Sequence, residues 1–224
     1  MKKILLVDLD DTLLDFTKGE EESLEKVFIN YGIVNSKENR ELYYSINRNY
    51  WKKFELHQIE REKLLGLRFE DFFRNFNMKV DGFKVNELYF NYLGQTAYLI
   101  DHAEEFCKKC KELGLDIYIV SNGVGKVQKP RIEKSGLKDY FKNIYLSEEI
   151  GYNKPDIEFF ESISLDGYSK ENLVIIGDSL TSDIQGGKNY GITTIWYNPH
   201  LKESSLPDYQ VTDLLDIFKI LEEI

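Results

Sequence analysis

Five short apolar runs rich in β-branched residues, Ile4–Val7, Ile117–Val120, Ile144–Leu146, Leu173–Ile176 and Ile192–Trp196, each lead into a polar or glycine-bearing turn. Runs this short, apolar without alternation, fit strands covered on both faces, which is the habit of parallel sheets. The segments between the later runs carry the 3.6-residue period of helices, at 101–113, 126–135, 156–163 and 182–190. Asp101 and Glu104 are the expected capping pair of the first, with Gly114 as its stop. A last amphipathic helix is expected from 213 onward, with Leu214, Leu215, Ile217, Phe218, Ile220 and Leu221 mostly inward. Strand and helix in alternation predict an α/β fold with right-handed crossovers.

One stretch departs from the alternation. From Thr17 to Ala97 only helical periodicities are found: Leu24, Val27, Phe28 and Tyr31 after a Thr17 cap, then Tyr43–Phe54, Leu64–Phe76 and Val85–Tyr92. This is a helical insertion after the first strand, dividing the chain into 1–16 with 98–224 and 17–97. Tyr43, Tyr44, Tyr50, Trp51 and Phe54 make it rich in aromatic rings, which could stack on a base but serve more often as a core.

The 224 residues hold 39 acidic and 29 basic side chains, a formal charge of −10 that argues against nucleic-acid polymers and anionic membrane surfaces as partners. Met1-Lys2-Lys3 precedes too short an apolar run for a secretory signal, and no stretch reaches the roughly 18 apolar residues of a membrane span. A cytoplasmic location is expected. Cys107 and Cys110 have C-x-x-C spacing but fall on the apolar stripe of a helix rather than at its N-terminus, so they are expected to be core residues. His57 and His102 are expected at the surface, and His200 carries no assigned role.

Four polar clusters follow four of the strands, and in an open parallel sheet those ends share one rim where ligands bind. The first is Asp8-Leu9-Asp10-Asp11-Thr12, which sets Asp8 and Asp10 on one side with Leu9 turned inward. Carboxylates this close repel unless a cation intervenes, and an oxygen-liganded divalent ion is the natural neutraliser. With a phosphate ester present, Asp8 could attack phosphorus and Asp10 protonate the leaving oxygen. Ser121-Asn122-Gly123 offers donors for phosphate oxygens, or simply a helix cap. Lys154-Pro155-Asp156 places Lys154 on an exposed rim before a helix opened by Pro155. In Gly177-Asp178-Ser179-Leu180-Thr181-Ser182-Asp183, Gly177 allows a tight turn, Asp178 faces the rim, and Asp183 returns a helical turn later.

Taken in order, these clusters resemble the four motifs of the haloacid dehalogenase-like hydrolase superfamily, and the likeness covers about 1–16 and 98–211. The resemblance implies a Rossmann-like parallel-sheet core with an inserted helical cap. It implies that Asp8 is a nucleophile forming an aspartyl phosphate, that Asp10 is the acid and base, and that Lys154 stabilises nucleophile and phosphoryl charge. Thr12, Ser121 and Asn122 would be phosphate-side donors. Mg2+ would be held by the Asp8 side chain, the Asp10 main-chain carbonyl and Asp178, with Asp183 behind them. Relatives that cleave carbon–halogen or carbon–phosphorus bonds generally lack the second aspartate, so Asp10 favours phosphate esters of small metabolites. Asn47, Trp51, Arg68-Phe69, Ser121-Asn122-Gly123, Gly136-Leu137, Ser147-Glu148-Glu149, Gly151, Trp196 and Asn198 resemble the pyrimidine 5′-nucleotidase subgroup, implying nucleoside 5′-monophosphates as substrates. The rivals are a sugar-phosphate or phosphoglycolate phosphatase, a phosphomutase and, in another class, a phospho-acceptor signalling module. Two departures from that subgroup stand out. Pro130 is expected to delay or kink the helix after Ser121-Asn122, and Gly186-Gly187 to loosen the helix after Asp183.

Overall fold

A computed structural model describes residues 3–163, 165 and 168–224. Met1 and Lys2, which open the segment judged too short for a secretory signal, lie outside them. The chain forms two compact units, Met1–Phe16 with Ala97–Ile224, and Thr17–Thr96.

The smaller unit holds four helices, α1 (Phe16–Asn30, its first residue belonging to the other unit), α2 (Lys37–Glu55), α3 (Arg61–Arg74) and α4 (Gly82–Leu93). Ser36 caps α2 by accepting from the Asn39 N–H at 3.2 Å, and Asp81 caps α4 by accepting from Phe83 and Lys84. Thr17 is not the cap of α1, because the helix already includes Phe16. Tyr43, Phe69, Phe72 and Tyr89 form an aromatic centre, with ring centroids 5.2 Å apart for Tyr43 and Phe69 and 5.5 Å for Phe69 and Tyr89. Tyr43, Tyr50 and Phe54 are buried and Tyr44 and Trp51 half-buried, so most of the aromatic set is this unit's own core.

The larger unit is built on six parallel strands, β1 (Ile4–Val7), β2 (Asp116–Ser121), β3 (Phe141–Leu146), β4 (Leu173–Gly177), β5 (Thr193–Tyr197) and β6 (Tyr209–Val211), in the order β3-β2-β1-β4-β5-β6. The α/β Rossmann-like fold read from the sequence is the one observed. β6 is a sixth strand the sequence did not reveal, since three residues are too few to show a period. Alternate residues of β1 serve opposite faces. Leu5 and Val7 pack in a layer with α5 (Ala103–Glu112), α6 (Gly125–Ser135) and α10 (Ile217–Glu223), while Ile4 and Leu6 join Phe159 and Phe160 of α8 (Ile157–Glu161). The remaining α-helices among the described residues are α7 (Ser147–Ile150) and α9 (Gln185–Tyr190), the latter preceded by a π-helical turn at Leu180–Ile184. Among the described residues no helix is long and apolar enough to cross a membrane.

Several local expectations are corrected. Helix α5 starts at Ala103 behind His102, whose φ is +62°, and the turn is closed by main-chain bonds from Ala103 to Ile100 and from Phe106 to His102, so Asp101 and Glu104 form no capping pair. Helix α6 begins at Gly125, upstream of Pro130; buried Val127, Gln128, Arg131 and Ile132 fix it against the sheet despite the missing proline N–H. Gly186 and Gly187 are close-approach positions rather than weak points: a Cβ would lie 2.8 Å from the Phe160 ring at the first and 2.5 Å from Ile175 Cγ2 at the second. Cys107 and Cys110 are buried free thiols, and burial pushes Cys107 up to about 12, which leaves it inert.

Candidate active site

The registers Val7↔Ile119, Val7↔Ile176 and Gly177↔Trp196 bring the carboxyl ends of β1, β2, β4 and β5 level. Asp8, Ser121 and Asp178 emerge there because each sits at a strand end in the sequence. Leu9 is buried beneath.

Lys154 is the centre of the arrangement. Its ammonium donates to Asp8 Oδ1, Asp183 Oδ1 and the Val120 carbonyl, each at 2.6 Å. Lys154 is therefore not on an exposed rim: it is 1% exposed, drawn inward by three acceptors that use all its donors. Burial alone would lower its pKa, and the carboxylates of Asp183 and Asp8 more than reverse that, holding the ammonium charged. Asn122 fixes Lys154 from behind, its Oδ1 accepting from the Lys154 N–H at 2.9 Å and its Nδ2 donating to the Lys154 carbonyl at 2.8 Å. The Asn122 side chain thus positions the lysine through one of its two Nδ2 hydrogens and its Oδ1, a role not expected from the sequence. The Lys154–Pro155 peptide is cis, and α8 starts beyond Pro155, at Ile157.

The other carboxylates divide by what they meet. Asp183 is buried, with Oδ1 on Lys154 and Oδ2 accepting from the Ser179 N–H at 3.1 Å. Gly177 makes this possible: a Cβ there would lie 2.2 Å from Asp183 Oδ2, so close approach, rather than a tight turn, requires the glycine. The Asp178 carboxylate accepts no hydrogen bond from the described residues, while its main-chain carbonyl accepts from Trp196 Nε1 at 2.8 Å. Oxygens of Asp8, Asp178 and Asp183 lie within 4.8 Å of one another. Burial first, and then the neighbouring carboxylates Asp183 and Asp10, push Asp8 up to about 8 against the pull of Lys154. Asp178 is raised well above the usual carboxylate range by burial and by Asp183, Asp8 and Asp11. Three acids against one ammonium, with oxygen donors only, is the composition a hard divalent cation fits.

Asp10 meets different partners. Its Oδ2 accepts from Gln128 Nε2 at 2.5 Å and its Oδ1 from Arg131 Nη1. Ser121 Oγ accepts from the Gly123 N–H at 3.0 Å and from Gln128 Nε2 at 3.1 Å, leaving its own proton for an incoming oxygen. No side chain of Ser121-Asn122-Gly123 caps α6, whose N-cap is Val124. Thr12 is fully buried, and its hydroxyl has no hydrogen-bond partner among the described residues. His200 and His57 are exposed, and His102 pairs with Asp213 at the surface.

Residues 5–197 match the family model of the haloacid dehalogenase-like hydrolases. The chain belongs to that family. Among relatives of this hydrolase, the pyrimidine 5′-nucleotidase PynA of Streptococcus pneumoniae is 39% identical, the alignment covering 99% of this chain and 98% of PynA. The pyrimidine 5′-nucleotidase YjjG of Escherichia coli is 28% identical over 97% of this chain and 96% of its own. The crystal structure of the HAD-hydrolase YfnB from Bacillus subtilis, bound to magnesium, matches with a TM-score of 0.93 at 34% identity and 98% coverage of each chain.

Three members of this hydrolase's site escaped the sequence reading: Gln128, Arg131 and Trp196 as the anchor of Asp178. The first two carried a signal, since polar side chains interleaved with buried Val127 and Ile132 on one helix face imply an internal partner. Trp196 had none, because its reach to Asp178 depends on how β4 and β5 pair.

Proposed function

We propose that this protein is a magnesium-dependent phosphatase of small phosphomonoesters, acting through an aspartyl phosphate and preferring nucleoside 5′-monophosphates. The observation that carries the reading is the Lys154 ammonium held between Asp8 and Asp183 beside the uncommitted carboxylate of Asp178. The nucleotide preference is supported by the full-length similarity to PynA and YjjG, which are named for that activity.

Asp8, Asp178 and the main-chain carbonyl of Asp10 would hold Mg2+, which when bound supplies positive charge that screens the nucleophile and phosphoryl oxygens. Asp183 stands behind, both its oxygens being committed to Lys154 and Ser179. Asp8 Oδ2, which accepts from no described residue, attacks phosphorus. The new O–P bond forms as the ester P–O bond breaks, and Asp10 gives its proton to the departing alkoxide. Asp10 then takes a proton from the water that hydrolyses the acyl phosphate, releasing inorganic phosphate and restoring Asp8. Lys154 remains charged and offsets the accumulating negative charge, while the Ser121 hydroxyl donates to a phosphoryl oxygen. The helical unit is read as the cap, on its place in the chain directly after the Asp8–Thr12 segment.

Phosphate release from a panel of nucleoside monophosphates, sugar phosphates and phosphoglycolate, with magnesium and with EDTA, tests this. Metal-dependent turnover with the highest kcat/KM on a nucleoside 5′-monophosphate is expected. A sugar phosphate preferred over every nucleotide removes the substrate assignment, and no metal-dependent turnover on any compound removes the activity.

A further inference from the structure

Both oxygens of the Asp10 carboxylate are held by a single helix. Gln128 and Arg131 stand three residues apart on α6, so their side chains leave one face together. Gln128 Nε2 binds Asp10 Oδ2 at 2.5 Å and also Ser121 Oγ at 3.1 Å; Arg131 Nη1 binds Asp10 Oδ1 and also Gln128 Oε1 at 2.8 Å. The result is a closed polar triangle of Asp10, Gln128 and Arg131, tied to the strand end through Ser121. Gly123 leaves the room for it: a Cβ there would lie 2.1 Å from Gln128 Nε2.

Stability does not account for this triangle. Arg131 is 0% exposed, yet its Nε and Nη2 have no hydrogen-bond partner among the described residues, a condition that costs free energy. A buried ion pair is in general no better for stability than apolar residues of similar volume. What the triangle does achieve is orientation. An aspartate side chain has two free torsions, and proton transfer demands that its oxygen lie within hydrogen-bond reach of the reacting atom.

We propose that Gln128 and Arg131 are positioning residues that fix the carboxylate plane of Asp10 for proton transfer. The inference rests on the phosphatase reading above. In the observed pose each Asp10 oxygen receives a donor, which suits the step in which Asp10 accepts a proton from water. In the acid step Oδ2 releases Gln128 and bears the proton that passes to the leaving oxygen as the P–O bond breaks, while Arg131 keeps Oδ1 in place.

Leaving-group dependence separates this role from a structural one. The alkoxide of a nucleoside monophosphate needs a proton as it departs, whereas the nitrophenolate of p-nitrophenyl phosphate leaves without one. Because kcat/KM reports only the steps up to release of the alcohol, it isolates the acid step. Gln128→Leu and Arg131→Met are expected to lower kcat/KM for uridine 5′-monophosphate by about 30-fold or more, a part of the roughly 10²–10⁴-fold that general acid catalysis supplies, and that for p-nitrophenyl phosphate by less than about 3-fold. Gly123→Ala, which displaces Gln128 without removing a polar group, should show the same bias. If Arg131→Met does not fold, the other two variants decide. Equal losses on both substrates, or no loss on either, overturn the inference while leaving the phosphatase reading intact. A wild-type protein that turns over neither substrate overturns both.

Discussion

The two units each bury charge, and they balance it differently. In the helical unit Arg68 is enclosed with Glu20: its guanidinium donates to Asn47 Oδ1 and Asn86 Oδ1 at 2.8 Å each, and Asn47 and Tyr89 both donate to Glu20 Oε1. The Arg68 cation faces the Glu20 anion through the neutral amide of Asn47. At the sheet rim three carboxylates cluster beside one ammonium, which donates to two of them, Asp8 and Asp183. A buried network whose charges cancel needs no further ion, whereas an excess of carboxylate is poised for a cation from outside.

The largest expected effect concerns the rim. Asp8→Asn should lower kcat by about 10³-fold or more while the fold persists, because it removes the nucleophile and at the same time relieves an excess of negative charge. Steady-state turnover and circular dichroism together check it; retained activity would strip Asp8 of its role. In the helical unit the converse is expected. Arg68→Met would strand the oxygens of Asn47 and Asn86 and remove the guanidinium that faces Glu20 through Asn47, costing about 3 kcal/mol or, for a chain this long, a Tm lower by about 6–12 °C. Magnesium should not restore it. A Tm unchanged by this variant would show that the helical network contributes nothing.

The smallest effect sharpens the contrast through pH. Burial and neighbouring carboxylates put Asp8 at about 8 in the fold and raise Asp178 well above its ordinary value. A carboxyl raised in the folded state binds more protons there than in the unfolded chain, so metal-free stability should be highest below about pH 4 on this account and fall as pH rises toward about 8. Magnesium should flatten that slope and raise Tm by a few degrees at pH 8, through binding to the folded state alone. Thermal unfolding across pH, with magnesium and with EDTA, reads both effects. A metal-free Tm that rises over the interval would contradict the charge imbalance.

Much of this was legible in the chain. Three of the five apolar runs end where one of the polar clusters begins, and in a parallel sheet that suffices to gather Asp8, Ser121 and Asp178 on one rim. Lys154 showed its type but not its burial, since nothing near it in sequence announces that Asp8 and Asp183 approach from 146 and 29 residues away. Gly177, Gly186 and Gly187 looked like turns or weak points because a missing Cβ has no signature until the neighbour that fills its space is known.

The sequence by itself determined the alternation of strands and helices, the placement of the helical segment after the first strand, and the polar residues that stand at strand ends, because short unbroken apolar runs and a period of 3.6 residues are local properties of a chain. The tertiary structure decided that the lysine would be enclosed, that Asn122 would serve it, and that Gln128 and Arg131 would grip Asp10. Those outcomes depend on which long side chains reach one another across the packed sheet, a distance set by registers and close contacts that no single stretch of sequence contains.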